Sequence, residues 1–172
     1  MIRRDAPCRQ KPRADVATGD ILVFIDADVV ASVGDLARVA EILEQQPDIA
    51  AVFGAYDDAP GHPGFMSQYK NLAHSFIHRT SSTVAQTFWA GFGAVRRDAF
   101  LSVGGFDERF ERPSVEDIDL GYRLNAAGFR LMLDSTLRCC HLKRWTESRV
   151  RRVSYDSDGE RRPSCNAGGC GG

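Results

Sequence analysis

The chain has 172 residues, 43% of them hydrophobic and 26% charged, a length and apolar content that suit one globular domain and exclude wholesale disorder. No window supplies the run of about 18 apolar residues that a membrane span needs, and "MIRRDAPCRQKPR" lacks the apolar stretch of a secretion signal, so the chain reads as cytoplasmic. The net charge of −1 is unevenly spread: residues 1–13 carry +4, residues 149–172 carry +2 and the middle −7, which argues against a nucleic-acid grip and suits uptake of a divalent cation.

Residues 1–16 mix basic side chains with Pro7 and Pro12 without any period and predict an irregular basic segment. The first clear element is the strand at 20–26 in "ILVFIDADVV", an apolar run that ends on Asp26 and Asp28. Ser32 and Asp35 are spaced as a capping box, and Leu36, Val39, Ala40 and Leu43 recur at helical spacing up to Pro47. "IAAVFGAY" at 49–56 predicts a second strand, so the unit is βαβ with parallel pairing.

A helix is expected over 65–79, with Phe65, Tyr69, Leu72 and Phe76 on one face, followed by a glycine-containing strand at 87–97. "DAFLSV" predicts a short helix closed by Gly104 and Gly105, since glycine accepts the left-handed backbone that ends helices. A polar loop follows, then a helix opened by Ser114 and Asp117 as a second capping box and ended by Gly128, then a last strand at 129–134. Residues 151–172 show no apolar periodicity and are expected to be disordered. Cys8, Cys139, Cys140, Cys165 and Cys170 have no zinc-binding spacing and suggest no disulfide framework.

Three places carry chemistry. Asp26 and Asp28 are like charges near the carboxyl end of a strand, where ligands bind in open α/β sheets. A Mg²⁺ or Mn²⁺ ion relieves their repulsion and leaves positions open for phosphate oxygens; capping of the following loop is the alternative. Asp117 shares a helical face with Leu120, Gly121 and Leu124 and so begins a buried stripe. There it is a candidate general base, or else, with Glu116, an ordinary helix-start acid. His141 follows a strand end as the aspartate pair does, whereas His62, His74 and His78 read as structural.

Taken in order, "ATGDILVFIDADV", "FWAGFGAVRRDAFLSVGGFDERF", "EDIDLGYRLNAAGFR" and "HLKRWT" resemble the later part of the catalytic domain of family 2 glycosyltransferases, over residues 17–146. The resemblance implies a GT-A-like, Rossmann-like α/β fold with a mixed, mainly parallel sheet flanked by helices. The implied domain is a partial one at 17–150, truncated so that it lacks the first nucleotide-binding strands. The implied function is metal-dependent, inverting transfer of a sugar from a nucleotide-diphosphate sugar to an acceptor hydroxyl, with Mn²⁺ or Mg²⁺ as cofactor. Asp28 and His141 would hold the metal, Asp26 would lie near the ribose or a metal-bound water, and Lys143 and Arg144 would meet the diphosphate. Asp117, paired with Glu116, would be the base. Trp89, Gly91, Phe92, Gly105, Phe106 and Asp107 would border the acceptor site. Implied partners are the donor and a saccharide or lipid-linked acceptor, with no nucleic acid, and peripheral association at the inner face of a membrane is compatible. The alternatives are an inactive partial domain without donor binding and a haloacid-dehalogenase-like phosphatase, whose nucleophile strand also ends in Asp-x-Asp.

Overall fold

The computed structural model describes residues 2, 3, 14, 16–110 and 115–146, so Ser114 and the segment expected to be disordered lie outside the described residues. In chain order the elements are β1 (Ile2–Arg3), β2 (Ile21–Ile25), β3 (Val29–Ala31), α1 (Val33–Gln45), β4 (Ile49–Tyr56), α2 (Phe65–Thr80), β5 (Val84–Ala85), β6 (Phe92–Arg96), α3 (Arg97–Ser102), α4 (Glu116–Ala126) and β7 (Arg130–His141). The strands form one sheet in the order β1-β2-β6-β4-β7-β3, with β5 also on β7.

The fold is mixed α/β, as expected, but its pairing corrects two finer expectations. Strands β2 and β4 run in the same direction without being neighbours, because β6 lies between them antiparallel to both. Among the described residues only β1–β2 and β4–β7 pair in parallel, so the visible sheet is mixed rather than mainly parallel. Within the basic N-terminal segment, Ile2–Arg3 pairs with β2 and Ala14 is buried in the core.

Burial of all eight residues of β4 follows from packing on both faces. Phe53 points into one cluster, with Phe24, Phe88, Phe100, Phe106 and Leu120, and Val52 into the other, with Val39, Ile42 and Leu43 from α1. Helix α1 starts at the predicted capping box: Ser32 Oγ accepts from Asp35 N, and the Asp35 carboxylate accepts from Ser32 N. Its buried stripe is Val39, Ile42 and Leu43, while Leu36 is exposed.

The far end of α1 has no local cap of comparable strength. Arg96, from the end of β6, reaches the Leu43 and Ile49 carbonyls at 2.5 and 2.9 Å. The bond to Leu43 is a charge-assisted one to a carbonyl that a helix end otherwise leaves unpaired, and the bond to Ile49 ties the start of β4 to the same guanidinium. Arg96→Ala is expected to lower unfolding stability by about 2 kcal/mol, seen as an earlier urea midpoint with an unchanged m-value.

Strand β7 extends well past its predicted end at Asp134. Its register against β4 slips between Phe53 and Ala55, where Asp134 Oδ1 accepts from Thr136 N and Thr136 Oγ1 at 2.9 and 2.6 Å. The excursion is a bulge, after which the strand resumes and pairs Tyr56 with Cys139. His141 therefore ends a strand rather than following one.

Helix α2 carries its expected apolar face outward. Phe65, Tyr69, Leu72 and Phe76 are exposed, and the buried residues are Ser67, Asn71 and Ser75. Hydrogen bonds decide the orientation: Asn71 Nδ2 donates to Asp57 O, Ser75 Oγ to Tyr56 O, and His78 Nδ1 lies 3.0 Å from Gly54 O. The polar face thus satisfies carbonyls at and just beyond the end of β4 that would otherwise be buried without partners.

Candidate active site

The aspartate pair lies in a tight turn rather than on a continuing strand. Asp26 N donates to Gly91 O, and Val29 N donates back to Asp26 O, both at 3.0 Å. The chain then enters β3, which pairs antiparallel with the end of β7 so that Val29 faces His141. Leu142 N donates to Asp28 O at 2.8 Å, fixing the two segments together.

This register places Asp28 Oδ2 3.7 Å from His141 Nε2 and 3.8 Å from Lys143 Nζ. At these lengths both are electrostatic contacts rather than hydrogen bonds. The His141 imidazole, and then the Lys143 ammonium, hold the Asp28 carboxyl below the usual carboxylate range, against the opposing effect of its burial. The Asp28 side chain is nonetheless 39% exposed, so a ligand can reach it.

Among the described residues no group of three His, Cys, Asp or Glu side chains forms a metal cage. Mg²⁺-type sites, however, need only one or two protein ligands when substrate phosphates and water complete the shell. Two ligands each about 2.1 Å from one ion sit about 3 to 4.2 Å apart, and the Asp28–His141 separation of 3.7 Å falls in that interval. The donor set fits a Mn²⁺ or Mg²⁺ ion shared with a diphosphate.

Asp117 contacts the same Trp89–Gly91 segment. Its Oδ2 accepts from Ala90 N at 3.2 Å, and its Oδ1 accepts from Ile118 N at 2.9 Å. Asp26 holds Gly91 and Asp117 holds Ala90, so one short stretch of backbone links the aspartate pair to the candidate base. Close approach makes this possible: a Cβ on Gly121 of α4 would lie 2.3 Å from Phe88 N, and backbone there cannot give way. Asp117 starts the predicted buried stripe with Leu120, Gly121 and Leu124, while Glu116, expected as the partner of Asp117, is buried to 1% exposure.

An aromatic bridge joins the two halves, and sequence reasoning missed it. Tyr56 stacks on His141 with centroids 4.4 Å apart and planes 6° from parallel, and meets the Trp89 ring edge-on at 4.9 Å. His74 and His78 also pack on Trp89, at 5.0 and 5.1 Å, and His74 meets Tyr56 at 4.7 Å. Burial, helped by nearby cationic groups, pushes His74 down to about 3 and also lowers His78. The signal in the sequence was their i, i+4 spacing on the side of α2 that carries Asn71 and Ser75.

These two histidines predict acid sensitivity. Their folded pKa values are depressed below the ordinary 6.5, so below pH 6.5 the unfolded chain binds more protons than the folded one. Stability is then full above pH 6.5 and falls as the pH drops toward 3, by about 1.4 kcal/mol per pH unit for each histidine kept neutral. Urea titrations at pH 7 and 5 should show this loss, and His74→Phe should reduce it.

The remaining predicted residues divide. Lys143 faces Asp28 and also lies over the Trp145 ring at 4.7 Å, whereas Arg144 is exposed on the segment after β7. Trp89 is half-buried and Gly91 is buried. Phe92 and Phe106 are core residues, each 1% exposed, and Phe106 packs edge-on against Phe24; neither ring is available to an acceptor, which corrects that expectation. Gly104 and Gly105 adopt the expected left-handed backbone, at φ 80° and 68°, and border a pocket of about 320 Å³. Asp107, also at that pocket, is gripped by Arg109 at 2.6 Å and pushed down to about 2 by it.

With this geometry in place, the chain's relatives can be compared. A family model described as glycosyltransferase like family 2 matches residues 5–146, and the chain belongs to that family. The match begins twelve residues earlier than the resemblance seen in the motifs, and it sets aside the phosphatase alternative. The chain is 29% identical over 146 residues to the O-antigen biosynthesis protein RfbC of Myxococcus xanthus, a match covering 74% of this chain and 11% of that protein.

Among solved structures it is similar to GalNAc-T7 with UDP, GalNAc and Mn²⁺, with TM-score 0.57 and 18% identity, covering 86% of this chain and 34% of that one. It is also similar to the mannosyltransferase PcManGT of Pyrobaculum calidifontis in complex with GDP-Man and Mn²⁺, with TM-score 0.60 and 18% identity, covering 93% and 45%. These likenesses show the GT-A glycosyltransferase fold. The chain spans about a tenth of the length of RfbC and less than half of either solved chain.

Proposed function

We propose that the site carries out metal-dependent, inverting transfer of a sugar from a nucleotide-diphosphate sugar to an acceptor hydroxyl. The observation that carries this reading is the convergence of Asp28, His141 and Lys143 at one strand end, with Asp117 fixed against the Trp89–Gly91 segment. Family membership supports it, as do the Mn²⁺ ions and nucleotides named with the two similar structures.

Asp28 and His141 would hold Mn²⁺ or Mg²⁺, which when bound supplies positive charge to the diphosphate of the donor. Lys143 adds a further cation beside the same oxygens, with Arg144 close by in sequence, and Asp26 would stand near the ribose or a metal-bound water. Asp117, with Glu116 buried behind it, would take the proton of the acceptor hydroxyl. The acceptor oxygen then attacks the anomeric carbon from the face opposite the diphosphate. The bond to the β-phosphate oxygen breaks, the electron pair leaves with the nucleoside diphosphate, and the configuration inverts. Trp89 and the pocket beside Gly105 and Asp107 would border the acceptor, a saccharide or a lipid-linked one. Among the described residues no helix is long and apolar enough to cross a membrane, and we place the reaction in the cytoplasm, at the inner face of a membrane.

The test is nucleoside diphosphate release from a panel of UDP- and GDP-sugars. Release should require Mn²⁺ or Mg²⁺, stop on chelation and return when the metal is restored. A folded chain that neither releases nor binds any nucleotide would favour the inactive partial domain.

A further inference from the structure

We propose that the outer face of α2 docks on an anionic lipid surface. The starting observation is the reversed amphipathicity of this helix. Its polar side is committed to the end of β4, and its exposed side carries Phe65, Tyr69, Leu72, Phe76 and Ile77, with Phe65 75% and Phe76 67% exposed. At 100° per residue these five residues, with Met66 and Ala73, form one apolar arc, interrupted by Thr80 in the last turn. Arg79 falls at one edge of the arc and Lys70 at the other.

Charge selects the occupant. Helix α2, "FMSQYKNLAHSFIHRT", contains no carboxylate. Asp58 lines the groove beside Leu72, Phe76 and Arg79 and is matched by Arg138 at 3.8 Å. At the start of the helix Lys70 and Lys143 both lie over the Trp145 ring, and Trp145 N donates to Ser67 Oγ, so more positive charge gathers where the chain leaves β7. A second copy laid along this face would set Lys70 and Arg79 against the same cations without a balancing acid on either helix. An anionic bilayer supplies the missing charge and takes the aromatic and aliphatic side chains at the headgroup boundary, while long basic side chains at the edges keep their heads in the interface. The inference rests on the shape and charge of α2 and is independent of the transfer chemistry.

The experiment is co-sedimentation of the full 172-residue chain with mixed phosphatidylcholine–phosphatidylglycerol vesicles and with phosphatidylcholine vesicles. The wild-type chain should partition onto the mixed vesicles and much less onto the neutral ones. F65S/F76S removes exposed rings and should weaken partitioning by at least about tenfold, with an unchanged far-ultraviolet circular dichroism spectrum. K70Q/R79Q should weaken it by about fivefold per cation removed. The termini are basic too, so the variants decide the matter. If the wild type ignores anionic vesicles, or if both variants partition as the wild type does, the proposal is overturned. It is also overturned if F65S/F76S turns a dimer into a monomer in sedimentation equilibrium while vesicle binding is absent.

Discussion

Asp117→Asn is expected to lower turnover by about a thousandfold while leaving donor binding within a fewfold of the wild type. The carboxylate sits at the start of α4, against the Trp89–Gly91 segment, and is aimed by Ala90 N and Ile118 N. Asparagine keeps the shape and one accepting oxygen but cannot take up the acceptor proton. It also leaves one of those N–H donors facing an amide, at a cost of about 1–2 kcal/mol in stability, so a melting curve belongs beside the rate measurement. Turnover from nucleoside diphosphate release, set against donor affinity from calorimetry, separates the two roles. Turnover close to that of the wild type would reduce Asp117 to a helix-start acid that fixes Ala90.

The second large effect belongs to Asp28→Ala. Retention of Mn²⁺ in the presence of a nucleoside diphosphate should fall by at least about a hundredfold, read from the paramagnetic resonance signal of free Mn²⁺. The side chain is 39% exposed and makes only long contacts with His141 and Lys143, so its removal leaves the core untouched. The change in folding stability should stay within about 1 kcal/mol. An Asp28→Ala chain that still sequesters Mn²⁺ with nucleotide would move the metal site elsewhere.

The sequence made local structure legible where a local rule sets it. The Ser32–Asp35 box, the strand at 49–56, the paired glycines after α3 and the stripe below Asp117 depend on residues within a few positions of one another. What escaped depends on distant partners. The period of Phe65, Tyr69, Leu72 and Phe76 marks a face, but only the carbonyls of Tyr56 and Asp57, claimed by Ser75 and Asn71, decide that this face points outward. Strand β6 enters between β2 and β4 through pairings 40 or more residues apart, which no local pattern reports.

The candidate site divides in the same way. Asp28, His141 and Asp117 were legible because acids and a histidine beside strand ends and helix starts are chemically conspicuous. Their assembly was not, since it needs the bulge at Asp134 to carry β7 on to His141 and the Val29–His141 register to close the site. The Tyr56–Trp89–His74 packing was hidden because each residue reads as ordinary core until the three elements meet. Phe92 and Phe106 erred in the opposite sense, as conspicuous aromatics in a suggestive motif whose rings fill the core.

The most direct test is calorimetric titration of the folded wild-type chain with UDP and GDP, with and without Mn²⁺. The site described here predicts binding of at least one nucleotide that appears only when Mn²⁺ is present and disappears on chelation. Binding that is indifferent to the metal, or no binding by a chain shown to be folded, would contradict a metal-bridged donor site at Asp28 and His141.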